Sequence, residues 1–272
     1  MNKAGVDIGC TFVKIAWKVG GQFRFASTRS QPLGEITDNL RKDGITEVNV
    51  IGLGAARGIP RELESLGTVH RVGHDIPGEL MTQARGVKSL GAGILPDSFL
   101  LISMGTGTSY TMVRGDDIRT FPIGNCIGAG FVERLGLALG ARDHKDLLER
   151  ASQGETLDLE VQHIVPDVTG DSPKGRRVIA SFGRADATSS TKDLLATVIQ
   201  AAAVMTIRTV LIIDMIPDFQ VPADIVVIGA GVAYNPLLMN ALRECALLFA
   251  ERQVLTVPHG EFALAVGALN LE

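Results

Sequence analysis

The sequence predicts an α/β protein made of two related lobes, each with a mixed sheet, set around a cleft. A strand–turn–strand–turn–strand pattern opens the chain, the same pattern returns 96 residues later, and helical stretches follow each copy. The expected division is 1–95 for an N-terminal lobe and 96–272 for a C-terminal lobe.

The elements follow from local pattern. Residues 4–9, 11–19 and 22–27 read as strands, and Gly20-Gly21 supplies a tight hairpin between the last two. A helical pattern over 35–42 ends at Gly44, and a buried strand over 47–53 closes at Gly54. Pro60 opens a short helix that stops at Gly67. After an extended stretch at 68–72, a longer helix is expected from Pro77-Gly78 to Leu90. The pattern then returns, with strands at 98–105, 108–114 and 118–121 and Gly115-Asp116-Asp117 as the turn. Helices are expected over 131–139, 144–151, 191–213, 236–249 and 261–269, and strands over 225–228 and 254–257. The stretch 153–190, rich in Gly, Pro, Asp and Ser, reads as loop with one short strand.

Laid over each other, VDIGCTFVKIAWKVGGQFRFA and ISMGTGTSYTMVRGDDIRTFP superimpose without a gap, with Gly9 on Gly105 and the hairpin turns coinciding. Two copies of one unit are the signature of a duplicated fold.

Composition excludes several function classes. Hydrophobic residues make up 46% and charged residues 21% of 272, so a sizeable core is expected. The net charge of −4, with mixed signs, offers no electrostatic footprint for nucleic acid or an anionic membrane. Cys10, Cys126 and Cys245 are far apart and form no CxxC pair, which fits a reduced, cytoplasmic protein. No signal-peptide pattern is read at the N-terminus. Apolar runs such as 198–205 and 210–213 are interrupted by Gln200, Thr206 and Arg208, so no membrane-spanning segment is expected.

Three glycine-rich loops carry the chemistry. In Asp7-Ile8-Gly9-Cys10-Thr11-Phe12-Val13-Lys14, a buried strand delivers an acidic residue to its end and glycine turns the backbone. Backbone N–H groups exposed in such a turn bind phosphate oxygens, and Asp7 is placed to hold Mg²⁺. The alternative is an ordinary hairpin with a turn-favouring Asp-x-Gly. In the second copy, Gly105, Thr106, Gly107, Thr108 and Ser109 pack N–H and hydroxyl donors into five residues. Two such loops facing each other would grip phosphates, and phosphoryl transfer needs mainly positioning and charge neutralisation. The third loop, Gly229-Ala230-Gly231 after an apolar strand, lets a flat ring approach the backbone and reads as the adenosine side.

The order DxGxTxxK, MGTGTS, a stretch from Phe121 to Gly130 ending Gly128-Ala129-Gly130, and VIGAG resembles the type II pantothenate kinases. These are a branch of the actin/hexokinase/acetate-kinase-like superfamily. The resemblance continues through 147–164 and Val266-Gly267-Ala268-Leu269, so it spans nearly the whole chain. It implies two RNase-H-like (actin-like ATPase) lobes around a nucleotide cleft, ATP and Mg²⁺ as cofactors, and pantothenate as the small-molecule acceptor. It also implies a homodimer formed through 142–153 and the long helix of the C-terminal lobe. Gly9, Cys10, Thr11 and Lys14 then join the later glycine loops as the ATP site.

The family's general base is a glutamate followed seven residues later by glycine, a spacing met by Glu79 and Gly86. Glu79 would lie in the first turn of its helix, where the macrodipole favours a carboxylate, and Asp75 is the second candidate. Departures fall in the acceptor half. The family arginine that binds the pantothenate carboxylate falls on Phe121, with Arg119 two residues earlier as a substitute. The family tyrosine in the dimer segment falls on His144 and a later aromatic on Thr256. A neutral acceptor such as pantetheine, or an inactive ATP-binding homologue, are the alternatives. His70 and His74 lie at i, i+4 without a third ligand and are not expected to bind metal.

Overall fold

The computed structural model describes residues 2–73, 75–122 and 124–271. Ile123 of the central glycine-rich stretch and His74 lie outside the described residues. The chain runs β1 (Lys3–Ile8), β2 (Val13–Val19), β3 (Gln22–Ser27), α1 (Leu33–Lys42), β4 (Glu47–Ile51), α2 (Arg61–Glu64), β5 (Thr68–Arg71) and α3 (Ile76–Leu90). It continues β6 (Ser98–Met104), β7 (Thr108–Arg114), β8 (Asp117–Thr120), α4 (Ala129–Ala138), α5 (His144–Ala151), β9 (Leu159–Glu160), β10 (Val178–Ala180) and α6 (Thr191–Asp214). It ends β11 (Asp224–Ile228), α7 (Ala230–Ala233), α8 (Pro236–Cys245), β12 (Gln253–Leu255) and α9 (Ala263–Leu269).

Both five-stranded sheets have one connectivity. The first is ordered β3-β2-β1-β4-β5, and the second, read in the same sense, β8-β7-β6-β11-β12. In the first, a meander of three strands is extended by β4 and β5, each parallel to its neighbour. This is the RNase-H-like order, so the duplication read from the sequence is a duplication of topology.

The superposition needs one correction. Two-residue turns join Val19 to Gln22 and Arg114 to Asp117, so the turns correspond at an offset of 95, not 96. The missing residue lies in the first hairpin: residues 9–12 separate β1 from β2, whereas 105–107 separate β6 from β7. The 153–190 stretch holds two short strands rather than one, β9 and β10, paired antiparallel.

Contacts divide the chain into two units, Met1–Leu101 with Tyr110–Pro122 and Thr256–Glu272, and Ile102–Ser109 with Ile123–Leu255. The expected boundary at 95/96 therefore does not follow the contacts, because the last helix packs within the first unit. Helix α9 lies on β1, β2, β4 and α3. It is built from small residues, and its partners meet it with glycines. A Cβ at Gly5 would stand 1.9 Å from the Ala265 carbonyl oxygen, and one at Gly86 1.8 Å from that of Ala263. Asn49 side-chain N–H groups then donate to the carbonyls of Ala268 and Leu271, at 2.9 and 3.0 Å.

In the second unit, α6 packs against α4, α5 and α8. Among the described residues it is the one helix long and apolar enough, by length and composition, to cross a bilayer, contrary to the expectation of none. Isolated Thr, Gln and Arg residues interrupt its apolar runs without ending the helix. Thr206, for instance, returns its hydroxyl to the Ala202 carbonyl at 2.8 Å. More than half of its most apolar stretch is buried inside the fold, as in a core helix.

Replacing Gly86 with Ala forces two backbones apart and is expected to destabilise the protein by about 3 kcal/mol in urea unfolding. Gly34→Ala, where a Cβ meets nothing within 4 Å, is the control: it is expected to stabilise α1 by up to ~1 kcal/mol.

Candidate active site

The first unit holds the acidic part of the site. Strand β1 carries Asp7 to its end, and the carboxylate is buried at 4% exposure. Lys14 stands opposite in the β1–β2 register and its Nζ lies 2.6 Å from Asp7 Oδ2. Between them, Cys10 and Thr11 are exposed at the tip of the hairpin. The Gly9 N–H donates to the Phe12 carbonyl at 3.0 Å, and the Gly105 N–H donates to the Gly107 carbonyl at 2.9 Å. Those two amides, expected among the phosphate donors, instead close their own turns.

Glu79 sits in the first turn of α3. The helix starts earlier than expected, at Ile76, because the Asp75 carboxylate caps it by accepting the Gly78 N–H at 2.7 Å. Asp75, the second candidate for the base, thus has a structural task. Burial, and then the negative charge of Asp7, push the Glu79 carboxyl up to about 7, while Lys14 and a hydrogen bond from the Leu53 backbone N–H pull the other way. The helix N-terminus was expected to keep Glu79 ionised. Desolvation outweighs that preference.

Gly52, Leu53 and Gly54 also belong here, although sequence reasoning saw only a strand end. Gly52 has φ +105°, and a Cβ there would lie 2.6 Å from the Ile8 carbonyl oxygen and 2.8 Å from Asp7 Oδ1. The available signal was Gly-Leu-Gly directly after an apolar strand.

The second unit brings its three glycine stretches together. A Cβ on Gly128 would lie 2.5 Å from the Gly107 carbonyl oxygen, and the Ala129 N–H donates to the Gly105 carbonyl at 2.9 Å. A Cβ on Gly130 would overlap Thr106, standing 2.9 Å from its methyl carbon. Gly229, at φ +111°, would clash with the Met104 carbonyl oxygen at 2.4 Å, and Gly231 with the Ala129 side chain at 2.3 Å. Residues 105–108, 128–130 and 229–231 therefore form one cluster around the ends of β6 and β11. Thr108 is buried and its hydroxyl donates to the Ile127 carbonyl at 2.8 Å, holding the loop together. Asn125, not singled out in the sequence, exchanges backbone hydrogen bonds with Thr108 at 2.9 Å, and its side-chain oxygen accepts the Ile127 N–H.

Of the acceptor candidates, Arg119 and Phe121 belong to the first unit. Phe121 is buried at 8% and its N–H donates to the Tyr110 carbonyl. Arg119 is exposed and its Nε lies 2.9 Å from Asp117 Oδ2. His144 belongs to the second unit, where its Nε2 is 3.0 Å from the Tyr234 carbonyl oxygen. Among the described residues no group of three His, Cys, Asp or Glu could hold a metal ion. A site for Mg²⁺ would thus rest on Asp7 with water and phosphate oxygens, which suits a cation that commonly takes one or two carboxylates and keeps several waters.

No family model matches the chain. It is similar along nearly its whole length to curated relatives. A type II pantothenate kinase of Staphylococcus aureus (strain USA300) is 29% identical over 286 residues, covering 99% of both chains. One of Staphylococcus saprophyticus is 27% identical over 280 residues, covering 99% of this chain and all of the relative. Among solved structures, component A of (R)-2-hydroxyglutaryl-CoA dehydratase from Acidaminococcus fermentans aligns with TM-score 0.61 at 17% identity, over 98% and 95% of the two chains. The activator of 2-hydroxyisocaproyl-CoA dehydratase from Clostridium difficile, solved with bound ADPNP, aligns at 0.60 and 15%, over 98% and 92%. These two share the fold.

The raised Glu79 has a stability consequence. Between its unfolded value of 4.5 and its folded value of about 7, the native state binds more protons than the unfolded one, so stability falls as pH rises through that window. Glu79→Gln removes this loss. Its melting temperature is expected to exceed that of the parent by several degrees at pH 8, with the difference shrinking toward pH 4.5.

Proposed function

We propose that this protein is an ATP-dependent kinase that phosphorylates a primary hydroxyl, with pantothenate as acceptor and 4′-phosphopantothenate, the first intermediate of coenzyme A synthesis, as product. The observation that carries the reading is Glu79: a desolvated carboxyl titrating near neutrality beside Asp7 and Lys14. A general base works best with a value near the operating pH. The similarity to type II pantothenate kinases along the full chain supports the choice of acceptor.

In the second unit Thr106 is exposed and a Cβ on Gly105 would meet nothing within 4 Å, so a nucleotide's phosphates can approach bare backbone there. In the first unit, Asp7 would hold Mg²⁺ and Lys14 would neutralise phosphate charge. Mg²⁺, when bound, screens the phosphate oxygens and withdraws charge from the leaving group. Glu79 accepts the hydroxyl proton as the acceptor oxygen attacks the γ-phosphorus. The new O–P bond forms, the bond to the β–γ bridging oxygen breaks, and ADP leaves. The proton on Glu79 then passes to solvent. The same reading carries with it a cytoplasmic homodimer.

Phe121 favours a second reading of the acceptor. A buried phenyl ring stands where a pantothenate carboxylate would want an arginine, and Arg119 is engaged with Asp117. A neutral acceptor such as pantetheine fits those two observations.

ADP release by the purified protein with MgATP, measured with each acceptor separately, tests both readings. Pantothenate-dependent turnover is expected, and Glu79→Gln is expected to lower kcat by about 10²–10⁴ with little change in KM for ATP. Turnover with pantetheine alone moves the specificity to the neutral acceptor. Turnover with neither, despite ATP binding, overturns both acceptor assignments and leaves a kinase for a different acceptor or an inactive ATP-binding homologue.

A further inference from the structure

The segment 125–128, which leads into α4, belongs to no helix or strand. Helix α4 begins at Ala129 with Gly128 as its cap residue, and no side chain caps it. The amides of its first turn have no acceptor within the helix, and such amides suit phosphate oxygens. What holds this helix start in place is therefore the segment before it.

Asn125 ties that segment down on three sides, all within the second unit. Its backbone forms an antiparallel bridge with Thr108, N–H to carbonyl in both directions at 2.9 Å. The two segments lie flush: a Cβ on Gly124 would stand 2.3 Å from the Thr108 carbonyl oxygen, and one on Gly107 3.1 Å from that of Asn125. The side chain reaches both ways. Its Oδ1 accepts the Ile127 N–H at 3.0 Å, and its Nδ2 donates to the Thr209 hydroxyl oxygen, 3.3 Å away on α6. Thr209 donates its own proton to the Met205 carbonyl at 2.9 Å, so its oxygen is an acceptor for the amide. One amide group thus joins the loop 105–108, the entry to α4 and a helix residue 84 positions further along the chain.

We propose that Asn125 is a positioning residue for the nucleotide and that Thr209 is its anchor: together they hold the loop 105–108 and the start of α4 at the separation that the phosphates of ATP require. This deepens the kinase reading and rests on it for the ligand. Gly105, Gly107 and Gly128 leave the backbone bare for phosphate, and the same residues have no side chains with which to fix it. A hydrogen bond to a hydroxyl on the long core helix supplies that fixation, so the loop is ordered on folding rather than at the cost of binding.

Thr209→Val removes the acceptor while keeping a β-branched side chain of the same shape, and Thr209→Ser, the conservative variant, keeps the hydroxyl. In calorimetric titration with MgATP, Thr209→Val is expected to raise the Kd about fivefold, as for the loss of one neutral hydrogen bond. Asn125→Ala, which loses both side-chain bonds, is expected to raise it further, and Thr209→Ser to match the parent. In turnover the loss is expected in KM for ATP, with kcat and KM for the acceptor within about twofold of the parent. Equal Kd in the parent, Thr209→Val and Asn125→Ala overturns the proposal, as does a loss that Thr209→Ser shares or one that falls on both substrates alike. A measurement without ligand accompanies these: the ¹⁵N–¹H signal of Ile127, identified by its disappearance in Ile127→Leu, is expected to move in Thr209→Val and to hold its place in Thr209→Ser. An Ile127 signal that stays put in Thr209→Val also overturns the proposal. Should Asn125→Ala not fold, Thr209→Val carries the test, since it lies outside the loops. Absence of ATP binding in the parent protein overturns the kinase reading and this proposal with it, whereas ATP bound equally by parent and variants overturns this proposal alone.

Discussion

Backbone meets backbone at each place where this protein gathers chemical groups, and glycine is what permits the approach. Gly52 and Gly54 press against the Asp7 loop, Gly128 against the loop of the second repeat, and Gly229 against the end of β6. At these distances a methyl group would overlap a carbonyl oxygen, and proteins relieve such overlaps only by moving main chain. The same device sets α9 against β1 and α3 through Gly5 and Gly86. Helix α3 is thereby fixed by its far end as well as by the Asp75 cap at its start. Since Glu79 rides on the first turn of α3, its position is inherited from packing at Thr82 and Gly86, within about two turns of it.

Charge follows from that packing. Asp7 is buried, but Lys14 faces it across the hairpin register, so the pair is close to neutral as a unit. Among the described residues Glu79 forms no ion pair. Its burial penalises the ionised form, Asp7 adds to the penalty, and the helix start, Lys14 and the Leu53 amide offset part of it. Two carboxyl groups in one unit thus meet different surroundings: Asp7 faces a lysine, whereas burial pushes the Glu79 carboxyl up to about 7.

The acceptor side is organised on different lines. Phe121 is part of the packed interior next to Tyr110, and Arg119 lies on the solvent side of β8 with Asp117. Alternation along a strand placed the two on one face by sequence, yet β8 ends at Thr120 and the chain turns inward at Phe121. The period-two argument holds only while the strand lasts.

The residues themselves determined the repeated α/β architecture, the three glycine stretches, the long helix and Glu79 as the candidate base. These are written in turn residues and apolar spacing, which act over a few neighbours and survive any rearrangement of distant parts. The one-residue shift between the repeats was hidden because Gly115-Asp116-Asp117 offers three turn-forming residues where the turn uses two, and only the pairing of Arg114 with Asp117 shows which are used. The grouping of α9 with the first unit and the raised value of Glu79 were decided by tertiary structure. Each depends on segments dozens to hundreds of residues apart arriving at the same place: Gly5 at Ala265, Asp7 near Glu79. Local pattern sets what a segment can become, whereas desolvation and hydrogen-bond partners exist only once the chain has closed around them.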